Sequence, residues 1–307
     1  MQTLPNRLET PESDDVFDLR DIPAHDKWTG QSGRGQSWTV YCGSSLSVLQ
    51  KMPDTRIHCV VTSPPYFWLR DYGVEGQIGL EERVDEYIDA ITDIMNEVRR
   101  VLRSDGVAFF NVGDTFYSGK GQSQGKDGKS KKRRFGLRAV DKSGGLGIGL
   151  QRKSLIGIPW RLATRFVEAG WALRSAIIWH RVNRLPEHVR DRPIRSYEFV
   201  FLLAKARKYY FNKQSLLDKT IEEDMWTIPA QPRKVGGLDT APFPDELVKR
   251  CLDAGCPKNG SVLDPFVGSG TTVRVANAMD RSGIGIGLNR EFCEHAAKSL
   301  QANAKCF

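Results

Sequence analysis

Residues 262–272 read Val-Leu-Asp-Pro-Phe-Val-Gly-Ser-Gly-Thr-Thr. The short apolar run Ser261–Asp264 predicts a strand, and Thr271–Met279 predicts a helix. Between them lies a turn carrying Gly268 and Gly270. A strand that passes through a glycine-bearing turn into a helix is the repeating unit of an open α/β sheet. In such sheets ligands sit at the carboxyl ends of the strands. The glycines let the backbone approach the ligand closely, and the helix start offers unpaired N–H groups. The dinucleotide pattern G-x-G-x-x-G is absent, since only Gly268 and Gly270 match its beginning. No Gly-Lys-Ser/Thr follows, which excludes a phosphate loop. Asp264, Pro265 and Phe266 put a carboxylate and an aromatic at the strand tip. That pair suits a cationic, amino-acid-like ligand better than a pyrophosphate.

Outward from this stretch the chain keeps a β/α rhythm. Strands are predicted at Ser37–Cys42, Ile57–Val61, Val107–Val112, Trp171–Trp179, Tyr197–Ala204 and Gly283–Gly287. Helices are predicted at Leu46–Met52, Arg83–Arg103, Ile158–Glu168, Pro244–Ala254 and Arg290–Ala302. In Arg83–Arg103 the apolar residues recur at three and four, with acids at the start and arginines at the end. Alternation of this kind implies an α/β fold with a doubly wound, mostly parallel sheet. Residues 1–36 lack periodicity and read as a polar tail or partial wrap, leaving 37–307 as one domain.

A second stretch, Cys59–Trp68, reads Cys-Val-Val-Thr-Ser-Pro-Pro-Tyr-Phe-Trp. The strand Ile57–Val61 runs into Pro64-Pro65, which fix φ and remove backbone donors. The residue before a proline is held extended too. The result is a stiff corner that presents a small hydroxyl, rigid carbonyls and an aromatic ring in set directions.

The 307 residues are 40% hydrophobic and carry a net charge of +8. Eleven basic and only two acidic residues fall in Ser118–Lys153, so this segment alone outweighs the charge of the whole chain. It is also rich in glycine and cannot bury a core. Such a segment is either a solvated loop or one that tracks a phosphate backbone. No apolar run is long enough to span a membrane, and the polar, acidic start does not read as a secretory signal. The six cysteines are scattered and form no C-x-x-C pair. They read as free thiols of a reducing cytoplasm, and no metal site is expected.

Together these residues resemble the amino-group DNA methyltransferases that use S-adenosylmethionine. The likeness is to the circularly permuted class, in which the catalytic motif precedes the cofactor motif. Thr62-Ser63-Pro64-Pro65-Tyr66 is similar to that family's S/D-P-P-Y, and Asp264–Thr272 to its D-P-F-x-G-S-G-T-T loop. Asp239–Leu252, with Ala241-Pro242-Phe243-Pro244, resembles the segment that packs beside the cofactor. Gln77–Glu81, Val112-Gly113-Asp114, Ile158–Arg161, Arg190–Ser196 and Trp226–Pro229 also read like family segments. The resemblance runs from about Thr39 to Leu300 and implies a Rossmann-like methyltransferase sheet with inserted DNA-recognition loops.

It implies, further, that Ser63, Pro64, Pro65 and Tyr66 are catalytic. Ser63 and the Pro64 carbonyl would accept hydrogen bonds from an exocyclic base amine, and Tyr66 would stack on the base. The base must be flipped out to be reached, at a cost of a few kcal/mol. Implied cofactor contacts are Thr62, Asp264, Pro265, Phe266, Gly268, Ser269, Gly270, Thr271, Thr272, Phe243, Leu288 and Asn289. No Pro-Cys pair stands ready to attack a pyrimidine ring, and the zinc deaminase pattern is missing. The serine form of the motif favours the N4 amine of cytosine, with the N6 amine of adenine as the alternative.

Two positions depart from the family pattern. Gly287 stands where many relatives place an acid for the ribose hydroxyls, and Gly43-Ser44 stands where they often have Gly-Asp. A DNA-binding relative with little activity is therefore a further reading, and methylation of RNA or protein a third. Double-stranded DNA is the expected partner. Candidate recognition segments are 118–153, 181–195 and 212–238, with Lys131, Lys132, Arg133, Arg134, Arg184, Arg190 and Arg192 as DNA contacts. Arg181 and Arg195 are suited to phosphate or guanine contacts too, the alternative being that several of these arginines pair with Glu187, Asp191 and Glu198. No nuclease motif is evident, so a cognate restriction endonuclease would be a separate chain. A bacterial or phage-infected cytoplasm is implied, and monomer and homodimer are both open.

Overall fold

The computed structural model describes residues 26–117, 150–183, 189–217, 223–231, 233–235, 238–240 and 243–304. These residues build a nine-stranded sheet in the order β1-β2-β11-β10-β3-β4-β6-β5-β7. Its strands are β1 (Asp26–Gln31), β2 (Ser37–Cys42), β3 (Ile57–Thr62), β4 (Leu102–Val112), β5 (Ala172–His180), β6 (Tyr197–Ala204), β7 (Met225–Thr227), β10 (Ser261–Asp264) and β11 (Ser282–Gly287). A separate two-stranded ribbon holds β8 (Arg233–Val235) and β9 (Leu238–Thr240).

The centre of the sheet is parallel. β2, β11, β10, β3 and β4 follow one another in that sense. β6 then runs antiparallel to both β4 and β5. The central strands are nearly all apolar, as strands covered on both faces must be. One face carries α1 (Ser45–Leu49), α2 (Val84–Val101) and α3 (Ile158–Glu168) over a core that includes Tyr87, Ile91, Met95, Phe110, Phe166 and Phe201. The other carries α5 (Asp245–Gly255) and α6 (Thr271–Ala278), with Leu247, Cys251, Phe109 and Val262 packed beneath them. α4 (Lys213–Leu217) and α7 (Arg290–Ala304) complete the helices. The doubly wound, mostly parallel sheet expected from the rhythm is present.

Three local differences have physical causes. Of the polar tail or partial wrap expected over 1–36, the end is not a free tail, because Asp26–Gln31 pairs antiparallel with β2 as an edge strand. Its one large apolar residue, Trp28, hides the alternation. Gly30 makes the pairing possible, since a Cβ there would stand 2.5 Å from the Trp38 ring. β4 begins at Leu102 rather than Val107, and its early residues lie beside β3 with an irregular register. The helix before it stops at Val101, two residues short of the expected end. The basic stretch 118–149 lies outside the described residues.

α3 is held by a residue on the neighbouring strand. Asp114, just past β4, accepts hydrogen bonds from the Gly157 and Ile158 amides at 3.0–3.1 Å. A carboxylate at a helix start is favoured by the helix dipole. Burial raises the Asp114 pKa, and the backbone donors oppose that rise.

Candidate active site

The Ser63–Tyr66 corner grows from the end of β3. Beyond Thr62 the two prolines stop the ladder, and the segment behind them fixes the corner in place. The Tyr87 hydroxyl of α2 donates to the Pro65 carbonyl at 2.9 Å. Phe67 is buried, with its ring centroid 5.3 Å from that of Tyr87. The Trp68 amide donates to Gly79 O at 2.6 Å. Gly79 has φ +107, and a Cβ on it would come 3.1 Å from the Tyr66 carbonyl. Among the described residues none donates to the Pro64 carbonyl, and Pro64 lines the cavity described below.

Three other strand ends converge on Tyr66. Its hydroxyl donates to Glu198 Oε2 at 2.5 Å, lies 3.3 Å from Asn111 Oδ1, and receives a long contact of 3.4 Å from Ser63 Oγ. Asn111 comes from β4 and Glu198 from β6. Asn111 Nδ2 also donates to Glu198 Oε2 at 3.2 Å. The other carboxylate oxygen of Glu198 meets Arg181 Nη1 at 2.9 Å, just past the end of β5. Burial, followed by the Glu198 charge, pushes the Tyr66 phenol well above its ordinary pKa. It therefore stays a neutral donor at physiological pH.

The second motif grows from β10, the parallel neighbour of β3. Asp264 is 2% exposed. Its carboxylate accepts from Thr62 Oγ1 at 2.7 Å, Thr272 Oγ1 at 2.8 Å and the Phe266 amide at 3.0 Å. Burial raises its pKa to about 6 against these three donors. Gly268 and Gly270 have φ +47 and +82, the left-handed region open to glycine. Ser45 Oγ donates to the Pro265 carbonyl at 2.6 Å, tying α1 to the loop.

Both motifs open onto one cavity of about 990 Å³. Its wall includes Ser63, Pro64, Pro65, Tyr66, Asp264, Pro265, Phe266, Gly268, Ser269, Thr271, Phe243, Leu288 and Asn289. Thr62, Gly270 and Thr272 lie directly behind it: Thr62 and Thr272 hold Asp264, and Gly270 caps α6. The cavity is large enough for a small molecule together with a planar base.

The two departures from the family pattern also sit here. Gly287 and Ser44 line the cavity. A Cβ on Gly287 would stand 2.8 Å from Cys293 Sγ, so the thiol occupies the space a larger side chain would need. Asn289 is already engaged. Its Oδ1 accepts from the Phe292 amide at 3.3 Å and its Nδ2 donates to Tyr72 O at 3.4 Å.

The expected DNA contacts scatter. Lys131, Lys132, Arg133, Arg134 and Arg184 lie outside the described residues. Arg190 is exposed. Arg192 sits 3.9 Å over the Phe116 ring, a cation–π contact beside the end of β4. Arg195 donates to the Asp114 carbonyl, and Arg181 is drawn into the site by Glu198. Sequence reasoning missed Glu198 and Asn111 as site residues. The available signal was two polar residues at the ends of strongly apolar strands, where a buried polar group needs partners.

Comparison with known proteins shows which family this fold belongs to. The DNA methylase family model with N6 and N4 members matches residues 57–298. The chain belongs to the N6/N4 DNA methylase family. The type II methyltransferase M.Cfr9I of Citrobacter freundii is 40% identical over 269 residues, covering 86% of this chain and 87% of the relative. M.SmaI of Serratia marcescens is 40% identical over 273 residues, covering 86% and 91%. Among solved structures, the cytosine-N4-specific PvuII DNA methyltransferase superposes with a TM-score of 0.62 at 20% identity, covering 87% of the methylase and 91% of PvuII. The M1.HpyAVI complex with S-adenosylmethionine gives 0.54 at 17%, covering 86% and 98%. S-adenosylmethionine is the methyl donor of this methylase. The cavity fits it: Gly268 leaves backbone open beside Phe266, and Asp264 at the wall offers a carboxylate to a cationic amino acid. No described helix of the methylase is long and apolar enough to cross a membrane.

Proposed function

We propose that the chain methylates the exocyclic N4 amine of a cytosine flipped out of double-stranded DNA, as the modification partner of a separate restriction endonuclease. One observation carries the reading. The Ser63–Tyr66 corner and the Asp264–Thr272 loop stand on adjacent parallel strands and open onto one cavity. Phe266, Phe243, Leu288 and the Gly268–Thr271 backbone would hold the cofactor. When bound, S-adenosylmethionine supplies an electrophilic methyl group on a sulfonium.

The amine of a base is delocalised into its ring and is a poor nucleophile. Ser63 Oγ and the Pro64 carbonyl accept its two N–H bonds and favour tetrahedral geometry at nitrogen. Tyr66 stacks on the ring, worth about 1–3 kcal/mol per base. Positioning is the main catalytic contribution, and no covalent enzyme intermediate is required. Sequence readout falls to the loops, with Arg190, Arg192, Arg184 and Lys131–Arg134 on the phosphates or base edges. The chain order, catalytic corner before cofactor loop, is that of the permuted class.

Adenine N6 is the second reading, because both amines offer the same donors to the same acceptors. Ser63 in place of aspartate favours cytosine, and PvuII methyltransferase, of like fold, is cytosine-N4-specific. The test is nucleoside mass spectrometry of unmethylated DNA after incubation with protein and S-adenosylmethionine. N4-methylcytosine that disappears with Ser63→Ala is the expected result. N6-methyladenine overturns the cytosine reading and keeps the site. Neither product, with DNA still bound, leaves a DNA-binding relative without activity.

A further inference from the structure

We infer that Arg181 reads the target base itself and makes the site choose cytosine over adenine. The inference rests on the flipped-base reading above and adds a residue to which that reading gave no role in choosing the base. Arg181 lines the same cavity as Ser63, Pro64 and Tyr66. Its guanidinium is not a swinging surface charge. Nη1 is fixed 2.9 Å from Glu198, and Glu198 in turn holds the Tyr66 hydroxyl. Its carbon lies 6.0 Å from the centroid of the Trp179 ring, and its Nε is buried with no hydrogen-bond partner. A guanidinium carries five N–H donors and no acceptor. Glu198 uses one side of the fork, and the group still has donors to give at the cavity wall.

The two candidate bases differ in what they show such a group. Beside its exocyclic amine, cytosine presents two neighbouring acceptors, N3 and O2. Adenine presents one, N1, followed by a C–H. With the amine held by Ser63 and the Pro64 carbonyl, and the ring on Tyr66, the adjoining edge turns toward the wall that holds Glu198 and Arg181. A donor fork there meets two acceptors in cytosine and only one in adenine. Planar donor forks recognise paired acceptors well, and lysine does not substitute for them. Both amines offer the same donors to Ser63 and the Pro64 carbonyl, so a choice made on the rest of the base's edge falls to a donor on the far side.

The experiment separates this role from mere support of Glu198. The target site is first mapped by sequencing DNA modified by the wild-type protein. Duplexes then carry, at the target position, either 2-pyrimidinone, which keeps N3 and O2, or unsubstituted purine, which keeps N1. Neither has an amine, so binding is read without catalysis, with the cofactor product present. The wild type is expected to prefer 2-pyrimidinone. Arg181→Met should weaken that duplex by about 10- to 100-fold and the purine duplex by less than about threefold. Arg181→Lys should recover only a small part. Equal losses on both duplexes would mean that Arg181 only props Glu198 and Tyr66, and would overturn the inference while leaving the methylation reading intact. A wild type without preference overturns it as well. If mass spectrometry shows N6-methyladenine instead, the cytosine reading and the two-acceptor readout fall together. A thermal melt of each variant guards against loss of fold, and a variant that melts early is replaced by Arg181→Gln in the same assay.

Discussion

Glu198 Oε2 stands 2.5 Å from the Tyr66 hydroxyl, so a carboxylate from β6 sets the tilt of the Tyr66 ring beyond the end of β3. Neither strand touches the other, since β4 lies between them. The bond crosses over the top of β4, where Gly113 clears the way: a Cβ there would come 3.0 Å from the Tyr66 ring and 3.4 Å from the Glu198 carboxyl carbon.

Tyr66→Phe keeps the ring and removes this bond. Glu198 keeps Asn111 and Arg181, so the stability loss should stay near about 1 kcal/mol. Methyl transfer should slow about tenfold through looser positioning of the base. Urea denaturation and single-turnover rates check the two effects separately. An unchanged rate would show that the ring needs no tether.

The Asp264 carboxyl is raised from 3.8 to about 6 in the folded protein. The folded state therefore binds its proton more tightly than the unfolded state. Stability of the free protein should fall as pH rises from about 4 to about 6, with the cost of ionisation fully present above that window. Asp264→Asn should flatten this dependence in pH-resolved denaturation. Cofactor affinity should run the other way and tighten as pH rises through 6, because the ammonium of the amino-acid moiety pairs with the ionised carboxylate. Affinity independent of pH across that range would count against a direct ion pair.

Gly270 caps α6 with φ +82, and a Cβ on it would stand 2.9 Å from Ala296 Cβ. Gly270→Ala combines a strained backbone with a contact against α7. A loss of about 1–3 kcal/mol is expected, together with weaker cofactor binding. The double variant with Ala296→Gly should relieve the contact and regain part of the loss, measured by thermal unfolding.

Replacing Lys131, Lys132, Arg133 and Arg134 with serine should weaken DNA binding and flatten its dependence on salt. If all four touch phosphate, the slope of log K against log salt should shrink by roughly 3–4. Filter binding across a salt series measures this directly. An identical slope removes the segment from the interface.

The parts of the site visible in the sequence are those encoded by neighbours in the chain. Pro64-Pro65 ends a strand wherever it stands, and Gly268 and Gly270 announce a turn before a helix. Arg181, Asn111 and Glu198 carry no such local mark. They meet because β6 runs antiparallel to both β4 and β5, with Asn111 opposite Val200 and Trp179 opposite Glu198. That register is a property of the assembled sheet. The same holds for Asp26–Gln31, whose strand exists only because β2 offers an edge. Arg181 and Arg195 look alike as exposed basic residues until Glu198 and the Asp114 carbonyl separate them from the surface.

Thr62 and Asp264 lie 202 positions apart in the chain yet share a hydrogen bond of 2.7 Å. They stand on adjacent parallel strands, so the spacing between the proposed methyl-donor and methyl-acceptor sites is built into the middle of the sheet. The segments proposed for DNA recognition lie outside these two strands. Such a frame lets specificity drift or be exchanged while the chemistry keeps its dimensions. Engineered recognition in this protein should therefore begin in the loops, with β3 and β10 left as the ruler.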